Sequence, residues 1–336
     1  MKDQLPAELE AVLRPHLGEG VTVANLRLLT GGASRMTYAF EAVTGTHRRA
    51  LILRAAPLEG SEHFAGMELE AAAQSAAAAA GAPVPHIVVA SDSPAASPAA
   101  SPAASPAALG NPFLICDEIA GETIVRRIQR HLDGEGRARL LSQCGQALAA
   151  IHRARTDAPG LVEQDPLADC RQRIDEMGDT TATFEWAFRW LQAHRPAPTA
   201  PRLVHGDFRM GNLIVDGSTL TAVLDWELVH IGDIHEDLAW FCIRAWRFGA
   251  PAALAAGGLG GIDDFVAAYE RAGGATVDRA ALHWWMVLGT LRWGMICRYQ
   301  AQRHLSGQTR SVELAAIGRR VCETEWDVLD LLEEAL

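Results

Sequence analysis

The run Val204-His205-Gly206-Asp207-Phe208-Arg209-Met210-Gly211-Asn212 puts an aspartate five residues ahead of an asparagine. Leu213-Ile214-Val215 follows, then Asp216-Gly217, then a second apolar run from Leu220 to Leu224 that ends at Asp225. Asp-Gly between two apolar runs predicts an antiparallel hairpin, which returns its second strand to the end where the first began. Asn212 and Asp225 should therefore finish side by side, with Asp207 on the loop entering the hairpin. Phosphoryl transfer from ATP needs such a set: hard oxygen ligands for Mg²⁺, and a carboxylate that orients the attacking hydroxyl and accepts its proton. The spacing predicts Asp207 as the base and Asn212 and Asp225 as metal ligands.

The same spacing is found in the Asp-x-x-x-x-Asn loop and downstream metal-binding Asp of protein kinases, with His205-Gly206 standing where kinases carry His-Arg. The loop, with a hairpin ending in Leu224-Asp225-Trp226-Glu227, resembles the aminoglycoside phosphotransferase and choline-kinase-like families, and Trp226 fits the bulky residue that follows the Asp there. The resemblance implies an α+β, protein-kinase-like bilobal fold, with a small antiparallel-sheet lobe and a larger, mainly helical lobe. It also implies ATP, with GTP left open, Mg²⁺, and a small-molecule hydroxyl acceptor. Three other readings compete: an ordinary hairpin with polar turn residues, a metal-dependent hydrolase using His205, Asp207, Asp225, His230 and His235, and a catalytically silent nucleotide-binding or scaffold protein.

Elements upstream must supply the rest. Thr22–Leu28, Thr37–Ala42 and Ala50–Arg54 alternate with turn residues and read as a small antiparallel sheet. Gly31, Gly32 and Ser34 lie between two of these strands, where glycine lets the backbone approach phosphates and the hydroxyl can join it; a plain Gly-Gly turn is the competing reading. Arg54 stands where the resembled family usually has the lysine that contacts ATP phosphates. A helix predicted over Glu62–Ala80, stopped by Gly81, Pro83 and Pro85, should carry its ion-pair partner, Glu70, with Glu68 as competitor. Strands are expected at His86–Ala90 and Pro112–Glu118, the latter leading to an inter-lobe hinge where the main chain around Glu118 to Ala120 would hold adenine. The Ser-Pro-Ala-Ala repeats between Ser93 and Ala108 are uncharged and Pro-rich, and read as an extended insertion.

Downstream the pattern is mainly helical, around Leu140–Arg153, Thr183–His194, Asp264–Ala272, Ala281–Leu305 and Val312–Leu336. Asp233 with Glu236 reads as a capping box opening another helix, and Asp237 is expected to support the catalytic loop by hydrogen bonds. His283, Trp284, Trp285, Arg292 and Trp293 pack a core or line an acceptor pocket; Arg244, Trp246 and Arg247 raise the same question. The implied lobes are 1–118, with the insertion at about 91–108, and 119–336.

With 336 residues, 49% of them hydrophobic, the chain can bury two lobes. A net charge of -11 opposes a nucleic-acid partner. Lys2 is the only lysine. The six cysteines are scattered and form no C-x-x-C pair, so neither a disulfide framework nor a zinc site is implied. Met1 to Glu10 has no apolar signal core, and Ala281–Cys297 is broken by His283 and Arg292, so a cytoplasmic protein without a membrane partner is expected. Leu29 to Ser34, Leu51 to Arg54, the Asp207–Asn212 loop and Glu236-Asp237-Leu238-Ala239-Trp240 look most like a branch found with acyl-CoA dehydrogenases. That likeness favours a metabolic, hydroxyacyl-type acceptor over an aminoglycoside antibiotic.

Overall fold

A computed structural model describes residues 4–29, 35–56, 65–92 and 108–334. Gly31, Gly32, Ser34 and the Ser-Pro-Ala-Ala repeats lie outside the described residues. Helix α1 (Leu5–Leu17) precedes strands β1 (Thr22–Leu29), β2 (Met36–Thr44) and β3 (His47–Ala55); helix α2 (Met67–Ala79) and strands β4 (Ile87–Ser91) and β5 (Phe113–Asp117) follow. The five strands form one antiparallel sheet in the order β1-β2-β3-β5-β4. Strand alternation decides what each face does. Leu51, Leu53 and Ala55 are fully buried against Leu9 and Leu13 of α1, whereas Ile52 packs with Met67 and Leu114 on the α2 side. Arg54 belongs to that second face, so it looks toward α2.

Helix α2 begins at Met67 rather than Glu62: Gly66 is its extended N-cap, and Ala65 donates to the Glu227 carbonyl, which ties the helix start to the segment that follows the Asp216-Gly217 hairpin. Ala73 and Ala77 of α2 join the second, larger core, so this helix bridges both halves of the molecule.

The remainder comprises α3 (Val125–His131), α4 (Gly134–His152), α5 (Pro166–Met177), α6 (Ala182–Ala193), β6 (Arg202–Val204), β7 (Leu213–Asp216), β8 (Thr219–Val223), β9 (His230–Gly232), α7 (Ile234–Cys242), α8 (Ile262–Arg271), α9 (Arg279–Leu305), α10 (Val312–Gly318) and α11 (Val321–Glu333). The single helix expected over Val312–Leu336 is two. Gly318 is pressed against Ala301 of α9, and the chain turns at Arg319-Arg320 so that α10 and α11 can both pack along α9. Five of the six cysteines are buried, and burial pushes the Cys116 thiol up to about 12. Among the described residues no helix is long and apolar enough to cross a membrane.

Candidate active site

Strand β6 pairs with β9 and delivers His205 to a fully buried position. Gly206 then takes a left-handed φ of 81°, and a Cβ there would lie 2.5 Å from the Leu228 carbonyl oxygen. Only glycine turns the chain at this point without displacing backbone. The fully buried Asp237, near the start of α7, fixes the turn: its carboxylate accepts from His205 N–H at 2.8 Å and Gly206 N–H at 2.9 Å. His152 Nε2 reaches the same carboxylate at 3.2 Å, and its Nδ1 is 2.9 Å from the Tyr269 hydroxyl. Burial works against this charge, yet the His152 bond and the nearby His205 hold the carboxyl below the usual aspartate range. The expected support of the loop by Asp237 is thus visible as geometry.

Asp207 sits in a shell of donors. Asn212 Nδ2 donates to its carboxylate at 2.7 Å and its carbonyl at 3.0 Å, Trp240 Nε1 donates at 2.8 Å, and Arg209 Nε lies 3.0 and 3.1 Å from the two oxygens. With both amide hydrogens of Asn212 directed at Asp207, its Oδ1 is left as an acceptor. Leu224 N–H donates to the Asn212 carbonyl at 2.8 Å, so the hairpin brings Asn212 beside Asp225 as its turn chemistry predicts. Asp225 itself has a left-handed φ of 68°, a conformation non-glycine residues rarely keep without a compensating role.

Arg54 reaches Asp225 at 2.6 Å and Glu70 at 3.3 Å. Burial opposes its charge, but Asp225 and Glu70 hold the guanidinium above its ordinary value. Glu70, not Glu68, is the partner on α2; Glu68 instead accepts from Asp92 N–H. Arg35, just past the glycine-rich segment, pairs with Glu70 and lies 3.4 Å from Glu227. Three carboxylates, Asp225, Glu70 and Glu227, thus face two guanidiniums. Burial and the Asp225 charge push Glu227 up to about 7. At the hinge, Glu118 N–H is used by the Ala50 carbonyl and its side chain by Arg27, and the Ala120 carbonyl is 3.5 Å from the Thr221 hydroxyl. The main chain that could hold adenine is therefore narrower than the sequence suggested.

Two expectations change. Asp233 caps α7 through His235 N–H, but Glu236 does not reach back to complete a capping box. It is buried between Arg292 at 2.7 Å and His230 at 3.1 Å, because pairing inside the fold satisfies a buried carboxylate that a cap would leave short of donors. The hydrolase reading loses its imidazoles. His205 is bonded to Leu224 and Asp207 main chain, His230 to Leu228 and Glu236, and His235 to Asp233 and Asp278 N–H. Of the long apolar helix, Trp284 and Trp285 are core, whereas Arg292 lies over the Trp240 ring and Trp293 packs on Trp246. Arg35, Arg209, Glu227, Trp240 and His152 were not expected at the site. Arg209, Glu227 and Trp240 stand inside the Asp207–Asn212, Leu224–Glu227 and Glu236–Trp240 motifs, and that adjacency was the available signal.

A kinase-like sheet-plus-helix fold with this loop defines a phosphotransferase, and the family model described as "Phosphotransferase enzyme family" matches residues 25–285. The chain belongs to that family. It is 29% identical over 211 residues to acyl-CoA dehydrogenase family member 10 of Mus musculus, covering 58% of this chain and 18% of the mouse protein. A homoserine kinase of Beijerinckia indica is 31% identical over 120 residues, covering 33% of this chain and 37% of that enzyme. The chain thus matches well under half the length of either relative. A proposed aminoglycoside phosphotransferase from Ralstonia eutropha has the same fold, with a TM-score of 0.74, 21% identity and 98% of both chains covered.

Proposed function

We propose that this chain is a small-molecule kinase that moves the γ-phosphate of ATP, as its Mg²⁺ complex, to a hydroxyl. The observation that carries the reading is the joint placement of Asp207, Asn212 and Asp225 by one loop and one hairpin. The donor set suits a hard cation: Asn212 Oδ1 and the Asp225 carboxylate are oxygen ligands, in a cluster where carboxylates outnumber guanidiniums. Bound Mg²⁺ would neutralise charge on the phosphates. Asp207 orients the acceptor hydroxyl and takes its proton, with Trp240 and Asn212 fixing the carboxylate. Arg54, held by Glu70, is the phosphate-binding cation in place of the family's lysine. Gly31, Gly32 and Ser34 are proposed to meet the phosphates, and Glu118 to Ala120 the adenine. The lobes divide at about Glu118, and the cytoplasm is the proposed location.

A metabolic, hydroxyacyl-type acceptor is favoured by the likeness to an acyl-CoA dehydrogenase family member and a homoserine kinase. The structural neighbour keeps an aminoglycoside as the alternative. Purified protein with Mg·ATP should phosphorylate a metabolic acceptor in a panel of hydroxyacyl-CoA thioesters, homoserine, choline and aminoglycosides. Transfer to aminoglycosides alone would overturn the acceptor class; Mg·ATP binding without transfer to any of them would favour a silent binder.

A further inference from the structure

The wall beyond Asp207 is formed by α7, the turn Arg244–Arg247 and the middle of α9, and its hydrogen-bonding chemistry is one-sided. Arg209 spends its Nε on Asp207, while its guanidinium lies 4.8 Å over the Trp246 ring. Its two terminal amino groups make no hydrogen bond among the described residues. Gly211 makes this pose possible, because a Cβ there would fall on the Arg209 guanidinium. Trp246 packs on Trp293 at 4.7 Å. The buried indole N–H groups of both, and the buried Arg247 Nε, have no acceptor among the described residues. A buried donor without an acceptor is destabilising. Burial, with Arg244 nearby, also holds the Arg247 guanidinium below its usual range, against the opposing pull of Asp327 and Glu334.

Three carboxylates around this wall are already engaged. Glu236 is taken by Arg292 and His230, Asp327 by Arg244, and Glu323 by Arg320. Each of these three carboxylates has a cationic partner, whereas the terminal amino groups of Arg209 have no hydrogen-bond partner among the described residues, so the wall favours an anion over an ammonium group.

We propose that the acceptor is a hydroxyl compound bearing an oxyanion, carboxylate or phosphate, received by the free edge of Arg209 beside Trp246 and Trp293 while its hydroxyl meets Asp207. This rests on the kinase reading above. The acceptor oxygen bonds to the γ-phosphorus as the bond from that phosphorus to the bridging oxygen breaks. ADP leaves with the electron pair, and the hydroxyl proton passes to Asp207. Arg209 holds both the base and the acceptor, which sets their distance.

The test is calorimetric titration of the full chain, loaded with Mg²⁺ and a non-hydrolysable ATP analogue, with three matched alcohols: 3-hydroxybutyrate, 3-hydroxybutyramide and 4-aminobutan-2-ol. The thioester 3-hydroxybutyryl-CoA forms a fourth arm that distinguishes phosphate from carboxylate as the anion. The carboxylate or the thioester should bind about tenfold or more tightly than the amide, the size of one charge-assisted hydrogen bond, with the amine weakest. Arg209→Gln should erase the preference, and Gly211→Ala should weaken it by displacing the guanidinium. Equal binding of amide or amine, or no binding of either anion while the nucleotide analogue still binds, would overturn the proposal. Failure of the analogue itself to bind would overturn the kinase reading and this proposal with it.

Discussion

Asp237→Asn keeps the shape of a fully buried side chain and removes its charge, so it isolates what the carboxylate does for the catalytic loop. His205 N–H and Gly206 N–H donate to different oxygens of Asp237. An amide offers one oxygen, and whichever way it turns, one backbone N–H faces an NH₂ group. A buried donor left unsatisfied costs about 1–3 kcal/mol, and losing charge assistance on the remaining bonds adds roughly 1 kcal/mol. Stability should fall by about 2–4 kcal/mol, read by urea unfolding. The two tethered residues directly precede Asp207, so the base should shift, and a displacement near 1 Å costs on the order of 10²-fold in turnover. Mg·ATP affinity should change little, because Asn212 and Asp225 are held by the β7–β8 hairpin. A stability loss under about 0.5 kcal/mol with unchanged turnover would refute the reasoning.

Asp225→Ala should weaken Mg·ATP binding itself by about tenfold or more, measured by calorimetry with and without Mg²⁺; unchanged affinity would remove Asp225 from the metal site. Gly206→Ala forces a Cβ against the Leu228 carbonyl at a left-handed φ, so unfolding should become easier by about 1–3 kcal/mol and turnover should drop; a fully active, equally stable variant would contradict the role assigned to this turn. Burial opposes the His230 charge, but Glu236 raises its pKa above the ordinary histidine value. Its stabilising contribution is complete below about pH 6.5 and is lost as pH rises through the higher folded value. The thermal midpoint should therefore decline on the alkaline side in wild type and less steeply in His230→Gln; parallel profiles would count against the pair.

The candidate catalytic loop and hairpin were legible because their residues are close in sequence: four residues separate Asp207 from Asn212, and an Asp-Gly turn fixes where Asp225 returns. Arg54 and Glu70 were legible through the family resemblance, which places a phosphate-binding cation and its ion-pair partner at these positions; strand alternation explains why Arg54 looks toward α2. Contacts made by distant segments were not. Trp240 meets Asp207 across 33 residues, and only the packing of α7 behind β6 brings them together. Helix α1 was missed, although Leu5, Leu9 and Leu13 recur at helical spacing, because a short polar-flanked N-terminal segment gains its stability from the sheet it covers. Strands β6 and β9 have three residues each, too few to show a period. Glu236 looked like half of a capping box because local spacing suited one; Arg292, 56 residues away, decided otherwise.

The central claim is that Asp207 is the base of a phosphoryl transfer whose metal ligands lie elsewhere. It is tested most directly by comparing wild type with Asp207→Asn for transfer of labelled γ-phosphate to the preferred acceptor, alongside Mg·ATP affinity. Transfer should fall by about a hundredfold or more with affinity nearly unchanged. A variant that keeps more than about a tenth of wild-type transfer, or loses Mg·ATP binding in step with it, would contradict the assignment.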